Sequence, residues 1–330
     1  MSDADCLGRS KTPLGSSSSW GPGGNCSGAA GASSPVCFAD GGANGMLANT
    51  ADANPAMYAW TKVFINYCDG ASYASDVDNP VAVGAANIYY RGAANLAGVY
   101  DELAASHGLR GAATVLVSGC SAGGLAVYLH VDALAEKVRA IAPAARVLGA
   151  PGAGFFMFEA APFAGSGYLS DIQWVVSAGN VTAHVNARCL AAFTSTPWRC
   201  FIAPDTLPFI ETPLFISNSL SDAWQAGAVM GLGCSPTHAG ACSAEQIAYL
   251  NDFRQISLMA LAPVTRAGSI HGAFLQGCFV HVVEDTAGWT RVIVENQTQS
   301  GTFSAWLAGG AGGASTVVVG DFPPWSNPTC

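Results

Sequence analysis

A serine lies at the centre of a glycine-rich turn, in a setting that could make it a nucleophile. The residues Gly119-Cys120-Ser121-Ala122-Gly123 fit the pattern G-x-S-x-G. The apolar, β-rich run 113–117 precedes them, and a segment with apolar residues near helical spacing, 124–140, follows. Glycines permit the strained strand-to-helix turn that exposes a serine hydroxyl. A chain with 39 glycines can match this pattern by chance, but the flanking strand and helix favour a nucleophile at Ser121.

Such a serine needs a histidine base and usually an acid that orients this base, because a serine alkoxide is inaccessible at neutral pH. In α/β-hydrolases the acid and then the histidine follow the serine, each on a loop after a later strand. Residues 213–217 predict such a strand, and Asp222 lies on the loop after it. Asp222 equally suits the N-cap of a helix that begins at Ala223, and the two roles are compatible. Weaker candidate acids, which do not follow a predicted strand so clearly, are Asp205, Glu211 and Asp252.

Three histidines follow Asp222 and are candidates for the base. His238 lies in a short segment bounded by cysteines, where we expect a surface loop. His271 and His281 flank the apolar segment AFLQGCFV, and spacing alone does not choose between them. A strand of about eight residues would hold these two histidines roughly 25 Å apart, so only one of them can lie near Ser121. The base should have one ring nitrogen within roughly 3–4 Å of the Ser121 hydroxyl and present the other to Asp222.

Strands and helices alternate along the sequence, which predicts an α/β fold with a mostly parallel central sheet flanked by helices. No linker divides residues 1–330, so we expect a single α/β-hydrolase-like domain. Residues 1–56 are loop-rich and of low complexity, and they suit a long loop held by a disulfide. Predicted strands lie at 63–67, 86–90, 113–117, 145–149 and 213–217, and the alternating segment 274–283 ends the recognisable sheet. Predicted helices lie at 93–106, 124–140 and 244–262, and residues 160–210 are loops with scattered helix.

The bulk composition limits the classes of partner. Half of the 330 residues are hydrophobic, so the chain can bury a sizeable core. The net charge is −9 and only 11% of the residues are charged, which argues against nucleic acid or an anionic membrane surface as a partner. No strongly apolar stretch reaches about 18 residues, so we expect no membrane-spanning helix. The first eleven residues lack the apolar region of a signal peptide.

Eleven cysteines indicate disulfides rather than metal ligands. The sequence has no C-x-x-C pair, which argues against tetrahedral zinc, and we expect no metal site. Three cysteine pairs stand at loop-closing distances in segments rich in turn residues, and three sequons accompany them. The pairs are Cys26/Cys37, Cys189/Cys200 and Cys234/Cys242, and the sequons begin at Asn25, Asn180 and Asn296. We therefore expect a secreted protein whose export signal lies outside this chain, with an odd cysteine left over.

Several segments together resemble one protein family. They occur in the family's order from about Cys6 to His281, and they are GCSAGGLAVYLHVD, INYCDGASYASD, IYYRG, GAGFF, TPLFISNSLSDAWQ and GCFVH. The combination is similar to the pectin acetylesterases, a family that also contains the Notum-type carboxylesterases. The resemblance implies an α/β-hydrolase fold, no cofactor, and hydrolysis of an ester on an extracellular polymer or protein.

The same resemblance implies roles for individual residues. It matches the catalytic serine to Ser121, the acid to Asp222, and the base to His281 rather than His271. Ala122, the residue after the nucleophile, would supply one N–H group of the oxyanion hole. Candidates for lining the acyl or sugar site are Trp224, Gln225, Phe155 and Phe156, although ordinary core or rim packing is the favoured interpretation for the two phenylalanines.

Three departures from the family's pattern concern the two ends and the centre of the chain. The family's G-G-G-W-C stretch lies just upstream of where this chain begins, which removes the expected second oxyanion donor. Gly41-Gly42 is a weaker substitute because it follows that position, and the loss of one donor costs about 10²–10³ in rate. Gly152 stands where the family has an aspartate, and DFPPWSNPTC retains only part of a cysteine-rich tail. We expect a chain that is incomplete at its N-terminus, whose missing cysteine would pair with Cys6.

Three functions remain open at this point. The first is a serine carboxylesterase that removes acetyl groups from an extracellular polysaccharide such as pectin. The second is a Notum-like enzyme that removes a long acyl chain from a protein, and a preference for acyl-chain length separates the two. The third is a catalytically impaired binding protein of the same fold. Pectin is a polyanion, and its repulsion from a chain with a pI near 4.9 would weaken in acid.

Overall fold

Parallel strands form the centre of the protein, as seen in a computed structural model that describes residues 1–11, 45–65, 67, 69–158, 167–236, 242–309, 316–320 and 327–330. In chain order the strands are β1 (Val81–Val83), β2 (Ala86–Ile88), β3 (Thr114–Cys120), β4 (Arg146–Gly152), β5 (Phe215–Ser219), β6 (Gly272–Gln276), β7 (Ile293–Val294), β8 (Gln297–Thr298) and β9 (Val317–Val319). The main sheet has the order β3-β4-β5-β6-β9, and all of its pairings are parallel. Two antiparallel hairpins, β1-β2 and β7-β8, lie outside it.

Helices connect the strands and cover the sheet. They are α1 (Asp3–Arg9), α2 (Gly92–Ser106), α3 (Ala122–Ile141), α4 (Tyr168–Ala178), α5 (Ala187–Ala192), α6 (Ala203–Thr206), α7 (Ala223–Ala228), α8 (Ala244–Ala260), α9 (Ala262–Thr265), α10 (Gly288–Arg291) and α11 (Gln299–Gly309). Within the described ranges, none of these helices combines the length and the apolar character that a membrane crossing requires.

Side chains of the central strands alternate between two apolar layers. Phe215 of β5 and Phe274 of β6 face the layer that contains Phe303 of α11, and the rings of Phe215 and Phe303 are 5.2 Å apart. The next residues along these strands, Ile216 and Leu275, face the layer that contains α3. Successive side chains of a strand point to opposite faces, so a strand that is buried on both faces is apolar at nearly every position. This double burial produces the continuous apolar runs that mark strands in the sequence.

The predicted α/β fold with a parallel sheet is confirmed, and most predicted elements are present with shifted ends. The strand predicted at 63–67 is wrong, because the described residues 61–65 and 67 form no strand, and Val63 is 52% exposed. β-rich composition does not suffice where no neighbouring strand supplies hydrogen bonds. The sheet also continues beyond segment 274–283, since β9 pairs with β6. In the segment expected to be loop-rich, residues 3–9 form α1, whose N-cap Ser2 accepts the Asp5 N–H.

Three disulfides are present among the described residues. The predicted pairs Cys189–Cys200 and Cys234–Cys242 are confirmed, with Cα–Cα distances of 5.7 and 5.1 Å. A third disulfide, Cys278–Cys330, was not expected from local spacing because its cysteines are 52 residues apart. The proposed pair Cys26/Cys37 lies outside the described residues. Cys6 and Cys120 are the free cysteines of the described part of the chain.

Candidate active site

Ser121 occupies a strained turn between β3 and α3. Its backbone angles are φ 56° and ψ −122°, a conformation that side-chain-bearing residues rarely adopt. Two glycines make this turn possible by close approach of the backbone. A Cβ atom on Gly119 would lie 2.5 Å from the Gly123 carbonyl oxygen, and one on Gly124 would lie 2.2 Å from the Gly152 carbonyl oxygen. The strand-turn-helix context that the motif predicts is therefore present.

Backbone hydrogen bonds hold the strained turn in place. The Ser121 N–H donates to the Gly152 carbonyl at the end of β4 (2.9 Å), and the Ser121 carbonyl accepts the Leu125 N–H of α3 (2.9 Å). Cys120, next to the serine, is a poor competitor as nucleophile. Burial, with smaller contributions from Asp285 and Glu284, raises the pKa of its thiol to about 12, so little thiolate exists at neutral pH.

Asp222 follows β5 and is fully buried. Its Oδ1 accepts the Gln225 N–H at 2.9 Å, so the residue caps α7 as the sequence suggests. Its Oδ2 accepts a hydrogen bond from His281 Nδ1 at 2.8 Å. The capping bond and the histidine bond use different oxygens, so the carboxylate makes both at once. Because the helix fixes one oxygen, the direction of the other toward His281 is fixed as well.

His281 lies on the loop after β6, and this loop is hydrogen-bonded to the loop that carries Asp222. The Ser219 hydroxyl donates to the Cys278 carbonyl at 2.6 Å, and the Ala223 N–H donates to the Val280 carbonyl at 3.2 Å. Cys278 also forms the disulfide to Cys330, the last residue of the chain. These contacts fix the loop at Cys278, three residues before the histidine, and at Val280, directly before it.

The imidazole of His281 lies between the serine and the aspartate. Its Nε2 is 2.8 Å from Ser121 Oγ, and its Nδ1 is 2.8 Å from Asp222 Oδ2. The His281 side chain is 22% exposed, whereas Asp222 is inaccessible. This geometry matches the distances that we expect for a base shared between the two residues. Such an arrangement can transfer a proton from the serine hydroxyl while the buried carboxylate supports the imidazolium that forms.

The other candidate acids and bases lie elsewhere. His271 directly precedes β6, at the end of the strand opposite His281, and its Nδ1 accepts the Leu214 N–H at 3.1 Å. Asp205 accepts two hydrogen bonds from Arg199, each at 2.8 Å. Glu211 pairs with Arg188 at the surface, and Asp252 is exposed on α8. His238 lies outside the described residues.

Aromatic side chains surround the exposed edge of His281. The Trp224 indole is stacked on the imidazole with ring centroids 5.7 Å apart, and it is 40% exposed. Phe156 contacts Trp224 edge-on at 5.1 Å and lies 6.2 Å from His281. Tyr168 packs against the other side of Trp224 at 6.0 Å. Sequence reasoning found Trp224 and Phe156 but missed Tyr168, which follows a segment of low complexity.

Two of the residues expected to line the substrate site are placed in the interior. Gln225 is fully buried, its Oε1 accepts the Met157 N–H at 2.9 Å, and its Nε2 donates to the Phe155 carbonyl at 3.3 Å. Phe155 is 1% exposed and packs on Tyr128 of α3. We therefore assign Gln225 to holding the backbone at 155–157, and Phe155 to the core. Neither presents surface that a substrate could contact.

Ala122 is the first residue of α3, so its N–H has no acceptor within the helix. The N–H also lies at the positive end of the helix dipole, which favours an anion. Both properties suit one donor of an oxyanion hole. The weaker candidates for a second donor, Gly41 and Gly42, lie outside the described residues. In the described part of the chain, no group of three or more His, Cys, Asp or Glu side chains could hold a metal ion.

Comparison with known proteins identifies the family. The family model of the pectinacetylesterases matches residues 1–330. The chain belongs to the pectinacetylesterase family. As a member of this family it is a carboxylic ester hydrolase.

Curated relatives fall into two groups. Pectin acetylesterase 7 of Arabidopsis thaliana is 32% identical over an alignment of 314 positions that covers 88% of this chain and 75% of the relative. The palmitoleoyl-protein carboxylesterase NOTUM of Schmidtea mediterranea is 24% identical over an alignment of 272 positions that covers 80% of this chain. This chain spans about half of that NOTUM protein, since the match covers 49% of it.

Solved structures support the fold. Two crystal forms of the Wnt deacylase Notum from Drosophila align with this chain with TM-scores of 0.73 and 0.75. The alignments cover 87% of this chain and 78% and 79% of the Notum chains, at 19% and 21% identity. At this level of identity the likeness establishes the α/β-hydrolase-like fold and nothing finer.

Proposed function

We propose that this chain is a serine carboxylesterase that removes acetyl groups from an extracellular polysaccharide such as pectin. The observation that carries the proposal is the chain of two 2.8 Å hydrogen bonds from Ser121 through His281 to buried Asp222. Family membership supports the reaction class, and the similarity to Arabidopsis pectin acetylesterase 7 supports the substrate class.

In this mechanism Ser121 Oγ attacks the carbonyl carbon of the acyl group, and its proton passes to His281 Nε2. The carbonyl oxygen becomes an oxyanion, which accepts a hydrogen bond from the Ala122 N–H. When the tetrahedral intermediate collapses, His281 returns the proton to the departing sugar oxygen and an acyl-enzyme remains. A water molecule then gives its proton to His281 and attacks the acyl carbon. The bond from this carbon to Ser121 Oγ breaks, His281 returns its proton to Oγ, and acetate is released. Asp222 keeps the imidazole oriented throughout.

Trp224 supplies exposed aromatic surface beside His281, and this surface suits either a sugar ring or an acyl chain. Removal of a long acyl chain from a protein is therefore the second candidate function. The similarity to NOTUM proteins favours that candidate. Hydrolysis rates on p-nitrophenyl acetate, octanoate and palmitate distinguish the two, because an acetylesterase should lose rate as the chain lengthens.

We further propose that the protein acts outside the cytosol. Three disulfides support this location, because reducing compartments do not maintain such bonds. Two of the three sequon asparagines, Asn180 and Asn296, are exposed, as a glycan acceptor must be. The remaining sequon, at Asn25, lies outside the described residues.

The decisive test is the substitution Ser121→Ala, assayed with p-nitrophenyl acetate and with acetate release from acetylated pectin. We expect loss of turnover and loss of labelling by a fluorophosphonate probe, with an unchanged thermal midpoint. Ser118→Ala is the matched control, because Ser118 lies on the same strand and its hydroxyl donates to the Met46 sulfur, at 3.3 Å. Turnover that persists in Ser121→Ala would exclude this serine as the nucleophile.

A further inference from the structure

Glu284 lies three residues after His281, and its carboxyl group reaches the ends of two central strands. The residue is 5% exposed. The Val283 N–H donates to its Oε2 at 3.0 Å, and the hydroxyl of Ser217 on β5 also hydrogen-bonds the carboxyl. Ser217 in turn accepts an N–H from the side chain of Gln299, the first residue of α11. A continuous set of hydrogen bonds therefore links α11, β5 and the loop of His281.

Gly152, the last residue of β4, provides the space for this carboxyl group. A Cβ atom at position 152 would lie 2.4 Å from Glu284 Oε1 and 2.5 Å from its Cδ, far closer than real contacts allow. The carboxyl group therefore rests directly on the Gly152 backbone. The carbonyl of the same glycine accepts the Ser121 N–H at 2.9 Å. Gly152 thus contacts both the turn that carries Ser121 and the Glu284 side chain on the loop of His281.

The main chain of Glu284 is held as firmly as its side chain. Its carbonyl accepts the Met46 N–H at 2.9 Å. Gly45 packs against that carbonyl with φ +64°, and a Cβ atom there would overlap the Glu284 oxygen. Both contacts restrict the loop a few residues beyond His281, on the side opposite the Cys278–Cys330 disulfide.

The surroundings of the carboxyl group favour its neutral form. Burial raises the pKa of Glu284, while the hydrogen bonds from Ser217 and the backbone act in the opposite direction. The titratable groups that interact with it are Asp285, Tyr128 and Cys120, all of which are acids. None of these three offers a positive charge to a carboxylate. Contact and hydrogen bonding, rather than an ion pair, therefore hold the group in place.

We propose that Glu284 is a positioning residue that fixes the loop of His281 against the Ser121 turn, through contact of its carboxyl group with Gly152. This inference rests on the proposed function of Ser121 and His281. Loss of the contact would let the imidazole move relative to Ser121 Oγ, and a displacement of about 1 Å can reduce a rate by about 100-fold. Because Glu284 does not touch the substrate, the effect should fall on kcat rather than on KM.

Two variants of Glu284 separate positioning from simple destabilisation. Glu284→Ala removes the contact, and we expect kcat for p-nitrophenyl acetate to fall by about 10- to 100-fold with little change in KM. Glu284→Gln preserves shape and hydrogen bonding without a charge, and it should restore kcat to within about threefold of the wild type. Asp69→Asn is the matched control, because Asp69 is also buried but bonds to Ala71, Tyr73 and Ser75. That control should lower the thermal midpoint and leave the kcat of the folded protein unchanged.

A double-mutant cycle tests the contact itself. Gly152→Ala places a methyl group where the Glu284 carboxyl group lies, so this single substitution should reduce both kcat and stability. In Gly152→Ala/Glu284→Ala the methyl group enters vacated space, so the double variant should be no worse than Glu284→Ala. Independent, multiplicative effects of the two substitutions would overturn the proposal. So would a Glu284→Gln variant as impaired as Glu284→Ala.

The same cycle distinguishes failure of this inference from failure of the proposed function. If the wild type neither hydrolyses esters nor reacts with the fluorophosphonate probe at Ser121, the proposed function fails. The coupling between positions 152 and 284 in the free energy of unfolding, measured without substrate, still decides the inference. Additive unfolding energies would show that the carboxyl group does not rest on Gly152, and strong coupling would show that it does.

Discussion

Replacement of His271 by asparagine should leave ester hydrolysis intact and change how the fold responds to acid. His271 is 8% exposed, and its Nδ1 accepts the Leu214 N–H at 3.1 Å. A nitrogen that accepts a hydrogen bond carries no proton, so the native structure favours the neutral ring. Burial lowers the pKa of this imidazole from 6.5 to about 4, with a smaller contribution from Arg266 and an opposing one from Asp132. Asn Oδ1 can occupy the position of the histidine Nδ1 and accept the same N–H.

The size of the acid effect follows from linkage between protonation and folding. The folded-state pKa lies below the unfolded-state pKa, so the unfolded chain binds the proton first as the pH falls. The contribution of neutral His271 to the free energy of unfolding is fully present above about pH 6.5, and it is lost as the pH falls toward about 4. At about 1.4 kcal/mol per pH unit, acidification from pH 7 to pH 5 costs about 2 kcal/mol through His271. His271→Asn should therefore remove about 2 kcal/mol from the decline in the free energy of unfolding over this interval.

Urea unfolding at pH 7 and pH 5, followed by tryptophan fluorescence, measures this difference directly. A constant loss of packing in the variant cancels, because only the change with pH is compared. His130 is the matched comparison: burial lowers its pKa to about 4, and its Nε2 bonds the Ser72 carbonyl at 2.9 Å. His130→Gln should remove a similar share of the decline in the free energy of unfolding between pH 7 and pH 5. An unaltered pH dependence in both variants would refute the burial argument, and a folded His271→Asn variant that has lost activity would refute our choice of His281 as the base.

Two further predictions concern the acid and the loop of the base. Asp222→Asn should lower kcat by about 10⁴ with little change in the thermal midpoint, since asparagine still caps α7. Asp205→Asn is the control and should leave kcat unchanged. An Asp222→Asn variant with wild-type activity would exclude Asp222 as the acid. Non-reducing peptide mapping should recover Cys278 linked to Cys330, and Cys330→Ser should cost about 4 kcal/mol of stability for this 52-residue separation. Free thiols at both positions would contradict the disulfide.

Elements with local signals were predictable from the sequence. The strands β4, β5 and β6 are buried at nearly every position, and the apolar runs 145–149 and 213–217 identify β4 and β5 to within a few residues. β9 escaped notice because it has only three residues and forms at the sheet edge by pairing with β6. Residues 63–67 carry the same kind of signal without such a partner, and they form no strand in their described part. Strand formation depends on a neighbour, which composition does not report.

Residues of the site were predictable to the extent that their roles are local. Ser121 was marked by its glycine-rich turn and Asp222 by its place after a strand, and the N-cap role expected for Asp222 from the sequence is confirmed at α7. The resemblance to the family, rather than spacing, separated His281 from His271. Gln225 looked like a substrate contact because it adjoins Trp224 on a helix. Its burial follows from the helix, which turns adjacent side chains in different directions and aims this one at the 155–157 backbone.

The contacts that hold the site together join segments far apart in the sequence. Ser121, Asp222 and His281 follow β3, β5 and β6, so their relative positions depend on how the ends of these strands are held together. Hydrogen bonds such as Ser219 to Cys278, and close contacts such as Glu284 with Gly152, hold these ends in register. A glycine at position 152 looks like a loss when the sequence is read locally, because no side chain remains to do chemistry. In three dimensions its missing side chain admits the carboxyl group of Glu284, and a substitution there should impair catalysis without touching substrate.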